Sequence, residues 1–154
     1  MKVKDSFPKL KGIITITKRE DKTGKVLSIH KYRNVFCDSG KLSILRALAG
    51  DNTKGVITYL ALGDSTTAPA KTDVKLGNEL YRHGVTLREA SGLTFSSSTF
   101  IPSTEGNGTY KEMGLFGDDA TGTKDSGTLF THLAINETKS SGESMTVDYD
   151  IVAS

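Results

Sequence analysis

The chain has 154 residues, of which 36% are hydrophobic and 25% charged, with a net charge of +2, 16 glycines and no tryptophan. That length and balance suit one globular domain, able to bury about 70% of its unfolded surface without covalent staples. The single cysteine, Cys37, excludes an internal disulfide, and no run approaches the ~18 apolar residues that would read as a membrane span. Met1-Lys2-Val3-Lys4-Asp5 is not followed by an apolar stretch, so no signal peptide is expected and the chain is read as made in the cytoplasm.

The charge is uneven along the chain. Residues 1–41 hold 11 Lys and Arg against 4 Asp and Glu, a net +7, and the remainder carries −5. Docking of the basic part of one subunit against the acidic part of another accounts for this asymmetry. Nucleic-acid contact is disfavoured, because the lysines lack the interleaved aromatic residues of a base-stacking platform.

Residues 1–11 read as a basic N-terminal arm with Lys2, Lys4, Phe7, Lys9 and Lys11 as contact residues, and residues 12–154 as a single domain. Ile13 to Lys18 is β-branched and alternating, which predicts a strand. A turn follows at Glu20 to Lys25, then a second strand from Val26 to Phe36 with Leu27 and Ile29 expected to face the core, opposite His30 and Tyr32. Asp38-Ser39-Gly40 offers an N-cap, and Leu42, Leu45, Leu48 and Ala49 recur at helical spacing before Gly50. The one expected helix is therefore about residues 39–49, with that stripe laid across an open end of the core.

Val56 to Leu62 predicts a central strand covered on both faces. Residues 63–75 read as a long loop, and Leu76 to Tyr81 as either a helical turn or an edge segment. Val85 to Leu87 suggests a short strand, and Leu93 to Ile101 a longer alternating one. Glu105-Gly106-Asn107-Gly108 reads as a hairpin turn leading to a return strand at Thr109 to Phe116. A polar loop spans 117–127, a strand Leu129 to Ile135, and a turn Lys139 to Glu143. The last strand sets Met145, Val147, Tyr149 and Ile151 against Thr146, Asp148 and Asp150, the pattern of a strand buried on one face. Seven or eight strands with one short helix predict a mainly β chain folded as an antiparallel β-sandwich.

Catalytic signatures are absent from the residue pattern: there is no Gly-x-x-x-x-Gly-Lys phosphate loop and no Gly-x-Ser-x-Gly elbow. His30, His83 and His132 lie in separate segments, none at metal-ligand spacing from a Cys or carboxylate. Asp118, Asp119 and Asp125 crowd one loop, an oxygen-rich set compatible with Ca²⁺ but without EF-hand spacing. No cofactor is expected.

Three segments carry a resemblance. They are Leu62-Gly63-Asp64 with Thr66-Thr67-Ala68-Pro69-Ala70; Leu76-Gly77-Asn78-Glu79 with Arg82; and Gly108 to Phe116 followed by Gly127-Thr128-Leu129-Phe130 and the closing alternating strand. In that order, across about residues 56–153, they resemble a module of tail-fibre, baseplate and other structural proteins of bacteriophages. The resemblance implies a non-enzymatic virion protein whose partners are copies of itself and other virion proteins. Tail tip, baseplate or fibre attachment stands first and capsid decoration or a head fibre second. A sandwich that binds a host-surface glycan or receptor through Tyr32, Tyr59, Tyr81 or Tyr110 is the reading from another class.

Within these segments, Asp64, Thr66, Thr67 and Pro69 in one loop and Asp118 and Asp119 in the other are the candidate assembly contacts. A carboxylate at Glu112 turned inward needs a cation, since a lone buried charge is costly. Arg82 is expected to bridge Glu112 or Glu79, holding the loop segment to the sandwich.

Overall fold

The computed structural model describes residues 9–154. Ten strands and one helix follow in chain order: β1 (Leu10–Glu20), β2 (Val26–Arg33), β3 (Val35–Phe36), α1 (Asp38–Leu48), β4 (Ile57–Gly63), β5 (Glu79–Gly84), β6 (Leu87–Ser91), β7 (Thr94–Ile101), β8 (Gly108–Gly117), β9 (Thr128–Lys139) and β10 (Glu143–Ala153). They form two antiparallel five-stranded sheets, sheet A in the order β2-β1-β10-β7-β6 and sheet B in the order β3-β9-β8-β4-β5. The mainly β, sandwich-like architecture with one short helix is as the alternation of the sequence predicts.

The main core lies between the sheets. Ile14 and Ile16 from β1 and Met145, Val147 and Tyr149 from β10 meet Leu60 and Leu62 from β4, Met113 and Leu115 from β8, and Leu133 from β9. A second, smaller cluster of Cys37, Ala61, Leu76, Phe116 and Leu129 lies apart from it and brings in Leu76 from the loop after β4. Thus β4 is covered on both sides, Leu60 and Leu62 on one and Ala61 on the other, as its near-continuous apolar run requires.

Several details differ from the sequence expectation. The strand count rises to ten because Val26–Phe36 divides at Asn34 into β2 in sheet A and β3 in sheet B, and because Glu79–Gly84 forms the edge strand β5; the short strand expected at Val85–Leu87 lies instead at Leu87–Ser91 as β6. The stretch around Gly106 is a crossover between sheets: β7 pairs with β10 and β6, while β8 pairs with β4 and β9. On β2 the faces are reversed. Leu27 and Ile29 are exposed, and His30 and Tyr32 turn in towards a carboxylate, Glu137 of β9.

The helix presents the opposite face from the one its leucines suggest. Leu42, Leu45 and Leu48 are exposed, whereas Gly40 and Ser43 are buried. A Cβ on Gly40 would fall 2.6 Å from the Phe130 Cα, so the helix sits on β9 at a distance only glycine allows. Cys37 occupies the N-cap with no side-chain cap bond, and Asp38 falls in the first turn. Of the residues expected in the arm, Lys9 exchanges backbone hydrogen bonds with Ser154, and Leu10 and Lys11 belong to β1. Lys2, Lys4 and Phe7 lie outside the described residues.

Candidate functional site: the loop-covered side of sheet B

Two loops, residues 64–78 and 118–127, are held by three buried carboxylates, two acting on sheet B and one joining the second loop to α1 and the backbone before β4. Each carboxylate satisfies backbone N–H groups that a loop cannot pair within itself, which is the condition for holding irregular backbone against a sheet.

Glu112 on β8 makes the first anchor. Its Oε1 accepts from the backbone N–H of Asn78 at 2.8 Å and of Ser65 at 3.3 Å, and its Oε2 from that of Gly77 at 2.9 Å. Oε2 also lies 2.8 Å from Nε2 of His132 on β9, and the His132 Nδ1 lies 2.7 Å from Oδ2 of Asp73 in the loop. Neutral imidazole has a single N–H. The two bonds therefore need one proton beyond a neutral ring and two carboxylates, and the buried group is a charge-assisted chain from sheet to loop. The side chain that meets Glu112 is thus His132 rather than Arg82. A register shift between Tyr110 and Glu112 makes this possible: Tyr110 stays in the inter-sheet core while Glu112 reaches the loop. Asp73 also accepts from the Ala70 N–H at 2.7 Å, closing the loop on itself.

Glu79 and Arg82 on β5 make the second anchor. The guanidinium is bidentate, Nε to Oε1 at 2.5 Å and Nη2 to Oε2 at 2.8 Å, and both side chains are almost fully buried. Its Nη1 donates to the carbonyls of Thr121 at 2.8 Å and Ser126 at 3.2 Å and to the Ser126 hydroxyl at 2.9 Å. The Asp125 N–H donates to Glu79 Oε2 at 3.1 Å. Arg82 also stacks over Phe116, 4.7 Å from its ring centre, and near Tyr59 at 5.6 Å. Of the two carboxylates offered to it by the sequence, Arg82 meets Glu79. It does so on an edge strand and not on a helical turn.

Asp118 makes the third. With a left-handed backbone (φ 60°), it points its buried carboxylate at the helix, where Ser43 Oγ donates at 2.7 Å. The N–H of Gly55 donates at 3.0 Å and that of Val56 at 3.4 Å. Asp118 is therefore a structural anchor, while Asp119 beside it is exposed. Among the described residues no group of three or more His, Cys, Asp and Glu side chains is arranged to hold a metal ion.

The remaining loop candidates stand further out. Asp64 accepts from the Asn78 side-chain amide at 2.7 Å, Thr66 and Thr67 are exposed, and Pro69 is half-buried. Between the first loop and the sheet lies an open cavity of about 300 Å³ bordered by Thr67, Thr72, Asp73, Lys75, Glu112 and His132. Cys37 is buried in the adjoining cluster, and burial, followed by the nearby Asp73 and Asp38 charges, pushes its thiol up to about 12.

None of the tyrosines offers a bare ring for stacking. Tyr110 is buried, Tyr81 donates to Glu105 at 2.7 Å, Tyr59 lies beneath Arg82, and Tyr32 donates to Glu137 at 2.7 Å. The Glu137 contact belongs to a polar rivet between the sheets. Its carboxylate, with no exposed surface, also meets His30 Nδ1 at 2.6 Å and Lys18 Nζ at 3.0 Å. Burial pushes the Glu137 carboxyl up, but the hydrogen bonds from Tyr32, His30 and Lys18 outweigh it and hold it below the usual range. Burial, with the bond to Glu137, raises the Tyr32 hydroxyl to about 12.

His132, Asp73, Ser126, Ser43 and Glu137 escape sequence reasoning because their partners lie on other strands or loops, at separations that only register reveals. The chain matches no protein-family model, no curated protein and no solved structure.

Proposed function

We propose that this chain is a non-enzymatic building block of a bacteriophage virion, acting by assembly at the tail tip, baseplate or fibre attachment. The observation that carries the reading is the convergence on Glu112. The three stretches that resemble the phage module are distant in sequence. One carboxylate from the third accepts hydrogen bonds from Ser65 next to the first and from Gly77 and Asn78 in the second. The resembling residues therefore meet in one physical unit, a sheet with two fixed loops, which supports reading them together. Rigid scaffolds with positioned loops suit repeated contacts between subunits. The buried polar groups in that unit are bonded to one another and to loop backbone, which gives them a structural task.

The test is immunogold electron microscopy of particles from a lysate of the source, with antibody raised to this chain. Label at the tail tip or along fibres supports the reading, and label over the head moves the protein to capsid decoration within the same class. Absence of label from every particle, with the protein free in the cell, overturns it.

A further inference from the structure

Sheet A has an outer face that nothing among the described residues covers: the helix packs on β9 of sheet B, and both anchored loops lie on sheet B. Register fixes which side chains stand side by side on that face. One row runs Lys31 (β2), Thr15 (β1), Asp148 (β10), Ser98 (β7), Leu87 (β6). The next runs Arg33, Ile13, Asp150, Ser96, Glu89. In these two rows the basic residues stand on β2 and the acidic ones on β10 and β6, with Thr15 and Ile13 between them, while Lys11 and Arg19 lie on the same face of β1 beyond either end of the rows. Among the described residues, Lys31, Arg33, Asp148 and Asp150 form no ion pair, yet the two aspartates are held in position. Ser98 donates to Asp148 at 2.7 Å and Ser96 to Asp150 at 2.6 Å. Exposed apolar side chains share the face: Ile13, Ile29, Leu87 and Phe100.

From this charge geometry we propose that the outer face of sheet A is the docking surface for a second copy of the same chain, in an isologous pair. The charge changes sign across the strands and not along them. A two-fold axis running along β1 therefore lays the β2 of one copy over the β10 of the other. Lys31 then meets Asp148 and Arg33 meets Asp150 of the second copy, each contact made twice, and Ile13 meets its own equivalent on the axis. A two-fold axis across the strands would instead stack lysine on lysine. The arrangement is an aligned face-to-face sheet packing. The surface rests on the assembly reading and gives it a specific contact.

Sedimentation velocity of the full chain over a concentration series tests it. The wild type should form a dimer that dissociates as salt rises. The pair Lys31→Glu with Arg33→Glu should be monomeric, as should the pair Asp148→Lys with Asp150→Lys. An equimolar mixture of the two variants should restore the dimer, because every facing contact then joins opposite charges. That restoration also establishes that both variants fold. A wild type that stays monomeric overturns the proposal, as does a dimer indifferent to both pairs of substitutions, or a mixture that fails to associate while each variant melts like the wild type. Gold label on particles together with a monomeric wild type would discard this surface and keep the virion reading.

Discussion

Arg82 and Glu79 lie side by side although a regular strand would point residues three apart to opposite faces. The pairing with β4 slips at this point: Tyr81 stands opposite Leu62 and Glu79 opposite Gly63, so Leu80 is bulged out and exposed. The bulge puts acid and base on one face, where the guanidinium gathers the 118–127 loop. Arg82→Lys keeps the charge and loses the fork and the stacking on Phe116. It should cost about 1–3 kcal/mol, from donors removed and partners left unsatisfied. Limited proteolysis should then cut within 118–127, where the wild type resists; equal resistance would refute this role for Arg82.

The Glu112–His132 pair should behave as a coupled unit. Glu112→Ala leaves three loop N–H groups and the His132 ring without their acceptor, and about 3–5 kcal/mol of stability should be lost in urea melts. His132→Ala should also destabilise. A double-mutant cycle should give a coupling of about 1–3 kcal/mol. Additive losses would mean that the two side chains act independently.

The sheet-to-sheet rivet predicts acid sensitivity. Glu137 titrates below its ordinary range in the folded chain, so it binds fewer protons folded than unfolded as pH falls. Its contribution is complete above the unfolded carboxyl value, about 4.3, and disappears as pH drops through the lower folded value. Urea midpoints between about pH 6 and pH 3 should therefore fall more steeply for the wild type than for Glu137→Gln. Parallel curves would remove Glu137 from the acid transition.

Gly40→Ala tests the helix placement through the sign of its effect. In an exposed helix interior this change stabilises by up to about 1 kcal/mol. Here the added methyl would collide with the Phe130 backbone, so the melting temperature should fall. A rise would mean that the helix stands further from β9.

The sequence told most where alternation ran one residue at a time, and least where a polar group had to be placed inside. Met145 to Ile151 reads correctly because every second side chain is apolar and buried. Leu27 and Ile29 mislead because pattern alone ranks them above His30 and Tyr32. Glu137 reverses the ranking, since its buried carboxylate requires donors and leucine has none. The helix misleads for a related reason: its leucines form a proper stripe, but Gly40 allows close approach and Ser43 answers Asp118 on the other side. Arg82 and Glu79 are legible as partners from spacing, although through a bulge that no pattern announces. His132 opposite Gly114 is set by the β8–β9 register, which the sequence does not contain.

The 64–78 loop is gripped at Ser65 and again at Asp73, Gly77 and Asn78, while Thr66 and Ala68 between those grips are exposed. A loop fastened at its roots can exchange its tip freely, because lengthening costs only about 0.6 kcal/mol per doubling. A foreign peptide spliced between Thr66 and Thr67 should leave the melting temperature within a few degrees of the parent, and a collapse of the fold would show that the tip is also part of the grip. The molecule is thus a frame whose loop tip can vary without renegotiating how the chain folds.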